Sequence, residues 1–137
     1  MKQTATVYMT DNQELKLAGN IACSDLNPKA LLLLAAAKCA GHTALMLMRK
    51  MHLAPKRLEI AYSGELDTET LQAESVFRSF HAVYNVACGP GSEQEKASRA
   101  LELTHEKYCG MAQMLRKIAP LTHEIAVVST EPEAVNK

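Results

Sequence analysis

The sequence carries no surplus of charge of either sign: 15 Lys and Arg balance 15 Asp and Glu. A nucleic acid or an anionic membrane as partner would require a basic field, so the composition argues against both and leaves small molecules or other protein chains. Internal repeats and low-complexity tracts are also missing. The first ten residues hold one lysine among alternating polar and apolar residues, without the apolar run and cleavage site of a secretory signal. A cytoplasmic location is the expectation. Residues 30–48 nearly reach membrane-spanning length, but Lys38 and His42 stand in the middle, where an ionisable group is costly. The stretch therefore reads as a buried helix. Disulfide staples are not expected either, because 137 residues with 47% apolar content suffice for one cored domain over 1–137. Cys23, Cys39, Cys88 and Cys109 would then serve reactivity, ligation or packing.

Residues 4–9 and 15–17 flank Asp11-Asn12-Gln13 and predict a strand, turn, strand opening within 1–20. Asn27 is an N-cap candidate with Pro28 at the first helical position. The helix that follows should occupy 27–52, and it is apolar on nearly all sides, as a helix covered on several faces would be. After Pro55, residues 57–66 alternate with Leu58, Ile60 and Tyr62 on one face, and a second strand is expected over 76–87. Residues 67–75 read as a hairpin loop or a short helical excursion. Cys88-Gly89-Pro90-Gly91 breaks the chain, and Ser92 with Glu95 has the pattern of a capping box. Ala97, Leu101, Thr104 and Tyr108 should share one face of the helix it opens. A second stripe, Met111, Met114, Leu115 and Ile118, follows Cys109-Gly110; Pro120 stops it before a strand at 121–129, and 130–137 is a polar tail. The order predicts an α+β fold, an antiparallel sheet packed on a long central helix.

Cys39 falls in mid-helix, with Lys38 beside it and His42 a turn later on the same face. A nearby cation stabilises a thiolate, the species that reacts with peroxides and disulfides. The plainer reading is a small buried hydrophobe. Cys109 lies between two helical stripes, so its sulfur can sit at a helix N-terminus; otherwise it is a turn residue. Cys39, His42, His105 and Cys109 would also make a tetrahedral zinc-type set if their helices face each other, although such spacings arise by chance in helix-rich chains. His52, His81 and His123 read as polar or interface residues, and the methionines as packing around an apolar pocket.

Asn27-Pro28 before an Ala- and Leu-rich helix carrying Cys39, a strand pair, a helix ending at Cys109, Leu115 and the run Ala119-Pro120-Leu121-Thr122-His123-Glu124 together resemble the OsmC/organic-hydroperoxide-resistance family. The resemblance covers roughly 22–128. It implies an intertwined homodimer with sites at the subunit interface. It further implies that Cys39 attacks an organic hydroperoxide and that Cys109 resolves the resulting sulfenic acid as a disulfide, with a dithiol as reductant and no cofactor. The peroxidase branch places a glutamate after Asn-Pro, paired with an arginine from the N-terminal strands; here that position is Lys29, and the first arginine is Arg49. Gly110 stands where the peroxidases usually have proline. The chain is thus nearer to the OsmC-like branch, for which a non-catalytic small-molecule-binding or redox-sensing role is the alternative. Lys38, His42, Arg49 and Arg78 are the candidate substitutes for the missing cation.

Overall fold

A computed structural model describes residues 1–129, so the tail expected at 130–137 lies outside the described residues. The chain forms β1 (Lys2–Met9), β2 (Leu15–Leu17), a 3-10 turn, α1 (Pro28–Lys50), β3 (Arg57–Leu66), β4 (Phe77–Cys88), α2 (Ser92–Leu103), a π-helical turn (Thr104–Tyr108), α3 (Gly110–Ile118) and β5 (Leu121–Ser129). The α+β class holds. The strands make one sheet in the order β2-β1-β3-β4-β5.

Three of its pairings are antiparallel, but β5 runs parallel to β4. This corrects the expectation of a purely antiparallel sheet. Two consecutive strands can run parallel when a long helical crossover returns the chain to the same end, and α2, the π turn and α3 supply that connection. One sheet face carries Val7, Leu58, Ile60, Tyr62, Phe80, Ala82, Tyr84 and Val86, all buried against the helices. On the outer face, His81 ties the parallel strands together through Nδ1 to Thr122 Oγ1 at 2.6 Å and Nε2 to Glu124 Oε2 at 2.7 Å.

Helix α1 begins where the Asn27 side chain accepts the N–H groups of Lys29 and Ala30, each at 3.0 Å, satisfying two of the donors a helix start leaves open. Its length and hydropathy would allow a membrane span. Yet Leu33, Ala36, Ala37, Ala40, Ala44 and Met48 are fully buried in the core. Gly41 marks a close approach to β2, since a Cβ there would lie 2.5 Å from Leu15 Cδ1. Outside runs a stripe of exposed residues, Leu31, Ala35, Lys38, His42, Met46 and Arg49.

Two local expectations are corrected. The Ser92/Glu95 capping box does not form: Gly91, at φ +71°, is the N-cap, and Ser92 is already inside α2. The Gly89-Pro90-Gly91 turn needs that left-handed glycine, which shifts the helix start by one residue, and Glu93 reaches back to the Gly89 N–H at 2.8 Å. Tyr108 does not continue the face of Ala97, Leu101 and Thr104; it is 49% exposed. The cause is the π turn, in which the Cys109 N–H bonds the Thr104 carbonyl at 2.9 Å. One extra residue in that turn rotates the face, bringing His105 and Cys109 inward and Tyr108 outward.

Candidate functional site: a facing cysteine pair

Helix α1 presents Cys39, and the break between the π turn and α3 presents Cys109. The two sulfurs stand 3.4 Å apart, 70 residues from each other in sequence, with the Cys109 thiol directed at the Cys39 sulfur. Cys39 is half-buried and Cys109 fully buried. Forming a disulfide needs the sulfurs to close from 3.4 Å to about 2.05 Å.

Their environments differ. Burial pushes the Cys109 thiol up to about 11, and the neighbouring Cys39 adds to the rise; the backbone N–H groups of Ala112 and Met111 act in the opposite direction. The helix N-terminus expected at this sulfur is therefore present, since Cys109 is the N-cap residue of α3, but desolvation outweighs it. Burial therefore favours the protonated form of Cys109 at neutral pH.

Under the pair lies a buried polar chain. Alternation puts Tyr62 (β3) and Tyr84 (β4) on the core face, and the register, Tyr62 opposite Ala82 and Tyr84 opposite Ile60, makes them diagonal neighbours. Their hydroxyls meet at 3.3 Å, and the Tyr84 hydroxyl lies 2.8 Å from His105 Nδ1. His105 stacks on His123 with ring centroids 4.0 Å apart, and His123 Nε2 lies 3.3 Å from Glu102 Oε1. Burial holds Tyr62 up at about 12, helped by the charges of Cys109 and Cys39, against the opposing effect of the Tyr84 bond. Tyr84 is raised further, first by burial. His105 is lowered to about 3, first by burial and then by the charges of His123, Arg116 and His81. Burial thus favours the neutral forms of Tyr62, Tyr84 and His105. Arg116 donates to the His105 carbonyl, and its charge favours the ionised forms of both tyrosines.

Sequence reasoning named the two cysteines, and named His105 only within the zinc-type set; Arg116 and the meeting of Tyr62 with Tyr84 escaped it. Arg116 follows Cys109 by two helical turns, so the helical period could have flagged it. Tyr62 was readable as a core-face residue, but its meeting with Tyr84 depends on strand register. The expected substitutes, Lys38, His42, Arg49 and Arg78, are all exposed, and among the described residues none makes a hydrogen bond or ion pair with either cysteine. Lys29 donates to the carbonyls of Gln72 and Ala73 at 3.2 and 3.3 Å, tying the β3–β4 connection to the start of α1. At Gly110 an added Cβ would meet nothing within 4 Å. The zinc-type set does not assemble: His42 points to solvent, His105 Nδ1 is engaged by Tyr84, and among the described residues no three His, Cys, Asp or Glu side chains converge as metal ligands.

Fold and site define a small α+β protein built around two thiols in contact. The chain belongs to the OsmC-like protein family, whose model matches residues 21–124. It is 25% identical to protein YhfA of Escherichia coli (strain K12) over 116 residues, 85% of this chain and 84% of that one. Among solved structures it resembles a hypothetical protein from Aquifex aeolicus VF5, with a TM-score of 0.65, 20% identity, and 96% and 98% of the two chains covered. It also resembles the organic hydroperoxide resistance protein OhrB of Bacillus subtilis, with a TM-score of 0.54, 17% identity, and 91% and 97% covered.

Proposed function

We propose that the chain is a thiol-dependent redox protein of oxidative-stress defence that reduces organic hydroperoxides, Cys39 being the peroxidatic and Cys109 the resolving thiol. The 3.4 Å contact between a half-buried and a buried cysteine carries the reading. Family membership and the likeness to a protein named for hydroperoxide resistance support it. The Cys39 thiolate attacks the peroxide oxygen, the O–O bond breaks, and the alkoxide takes a proton and leaves as alcohol, with Cys39 now a sulfenic acid. Cys109 then attacks that sulfur; the S–O bond breaks, and hydroxide departs with the Cys109 proton as water. A small-molecule dithiol reduces the disulfide. The test is sustained consumption of cumene hydroperoxide with dihydrolipoamide as reductant. No consumption above the reductant's own background would contradict the reading.

A redox-sensing or binding role is the second reading, and one observation favours it: the candidate cations Lys38, His42, Arg49 and Arg78 lie in solvent. Turnover should accordingly be slow. A homodimer, in the cytoplasm, is part of the same proposal. Leu31 and Met46 on α1, with Tyr108, Met114 and Ile118 around α3, are each at least 40% exposed, an apolar surface that a second copy would cover. In such a dimer the Lys38/His42 stripe would lie at the interface beside Cys39. Light scattering should return twice the chain mass; a monomer at micromolar concentration would contradict the assembly.

A further inference from the structure

Cys39 and Cys109 stay in contact only if both backbones are fixed, and the two are fixed by different means. Cys39 sits in mid-helix on α1, where its neighbours Ala36, Ala37 and Ala40 are fully buried. Its place is set by the core. Cys109 stands instead at a corner, an extended residue (φ −83°, ψ 109°) between the π turn and α3. A helical turn that stops leaves its last carbonyls without intrahelical donors. Gly110, the next residue, has no side chain to brace the corner, and a Cβ there would meet nothing within 4 Å.

The bracing comes from α3. Gln113, on its first turn, donates its side-chain amide to the Glu106 carbonyl at 2.9 Å and its backbone N–H to the Cys109 carbonyl at 3.2 Å. Arg116, a turn later, donates its guanidinium to the His105 carbonyl. On the other side of the corner the Cys109 N–H returns to the Thr104 carbonyl at 2.9 Å, and the His105 ring is bonded to Tyr84 of β4 at 2.8 Å. The π turn is thus tied to the sheet through one ring and to α3 through two carbonyls. Arg116 is half-buried and, among the described residues, has no carboxylate partner. A charge-assisted bond, the stronger kind, goes to a backbone carbonyl of the turn.

We propose that Arg116 and Gln113 are positioning residues for disulfide closure: by clamping the His105 and Glu106 carbonyls they fix the corner that carries Cys109 and keep its sulfur against that of Cys39. The inference rests on the reading of the two cysteines as a redox pair. Closure is intramolecular, so its rate depends on how often the sulfurs stand in line at short range. With the corner loosened, Cys109 samples more positions and fewer of them hold the 3.4 Å contact. Attack by Cys39 on an outside molecule does not use the corner.

A dithiodipyridine separates the two steps without peroxide. The Cys39 thiolate attacks one sulfur of the reagent, the S–S bond breaks, and the first pyridinethiolate leaves. Cys109 then gives its proton to the buffer and attacks the Cys39 sulfur; the mixed disulfide breaks and the second pyridinethiolate leaves. The protein loses two electrons and the reagent gains them. Both phases are read by absorbance in the Cys23→Ser chain, which lacks the exposed thiol. In Arg116→Met the second phase should slow by about tenfold while the first keeps the parent rate, a loss within the hundredfold that a misplacement of about 1 Å can cost. A general loss of stability would not divide the phases in this way. Gln113→Leu changes no charge, should slow the second phase as well, and serves alone if Arg116→Met does not fold. A second phase at the parent rate in the folded variants overturns the clamp. Slowing confined to Arg116→Met overturns it too, and assigns the effect to the lost charge. If the parent itself releases no second pyridinethiolate, the cysteines are not a redox pair and the inference falls with that reading. A slowed second phase in both variants of a protein that consumes no hydroperoxide upholds the clamp and removes the peroxidase reading alone.

Discussion

Replacing Cys39 with serine should lower hydroperoxide consumption by on the order of a thousandfold or more, because removing a nucleophile leaves no second covalent route. Cys109→Ser should behave differently. The first oxidation still proceeds, but the sulfenic acid on Cys39 has lost the thiol 3.4 Å away that would condense with it, and excess peroxide carries it to the irreversible sulfinic acid. Intact mass should show one added oxygen on Cys109→Ser after one equivalent of peroxide and two after excess, where the parent only loses two hydrogens. Cys23 and Cys88 serve as internal controls. The first is exposed; the second is buried, with its thiol raised by burial and by Glu93. Serine at either should leave consumption unchanged. If Cys39→Ser and the parent consume peroxide at equal rates, Cys39 is not the peroxidatic thiol.

Acid should destabilise the fold through His105. Its pKa is about 3 in the folded chain against 6.5 for an unperturbed histidine, chiefly because it is buried. Between those values the unfolded chain takes up a proton at this site and the folded chain does not, so protons favour unfolding. The contribution is complete above pH 6.5 and is lost progressively as pH falls toward 3. At ~1.4 kcal/mol per unit, the full window is worth on the order of 5 kcal/mol. Urea midpoints measured at pH 7.5 and pH 4.5 should therefore differ strongly in the parent. His105→Asn, whose amide can still pair with the Tyr84 hydroxyl, should show a smaller difference. An equal acid shift in both proteins would mean that other groups, such as the His123–Glu102 pair, govern acid stability.

Much of the architecture was legible because local chemistry dictates it. Asn27-Pro28 starts α1 as its cap chemistry demands, Pro55 separates it from β3, and the alternation of Leu58, Ile60 and Tyr62 marks the core face of β3. The expected bounds of β2, β3 and β5 coincide with the observed ones. What escaped depends on relations between distant segments or on backbone irregularity. The direction of β5 follows from where the crossover delivers the chain, which no pattern within residues 121–129 records. The π turn adds a residue to a helix whose sequence reads as regular, and it decides that His105, not Tyr108, faces the core. The two cysteines came from the family resemblance, since neither sequence environment alone set them apart from packing residues. The polar chain beneath them came from strand register, which pairs Tyr62 and Tyr84 across β3 and β4.

The most direct test of the paired-thiol mechanism is a single oxidation. The fully reduced chain is treated with one equivalent of cumene hydroperoxide, remaining thiols are alkylated, and peptides are mapped by mass spectrometry without reduction. The expected result is one disulfide, Cys39 to Cys109, with Cys23 and Cys88 alkylated. A protein that keeps both Cys39 and Cys109 as alkylatable thiols while the peroxide persists would contradict the mechanism.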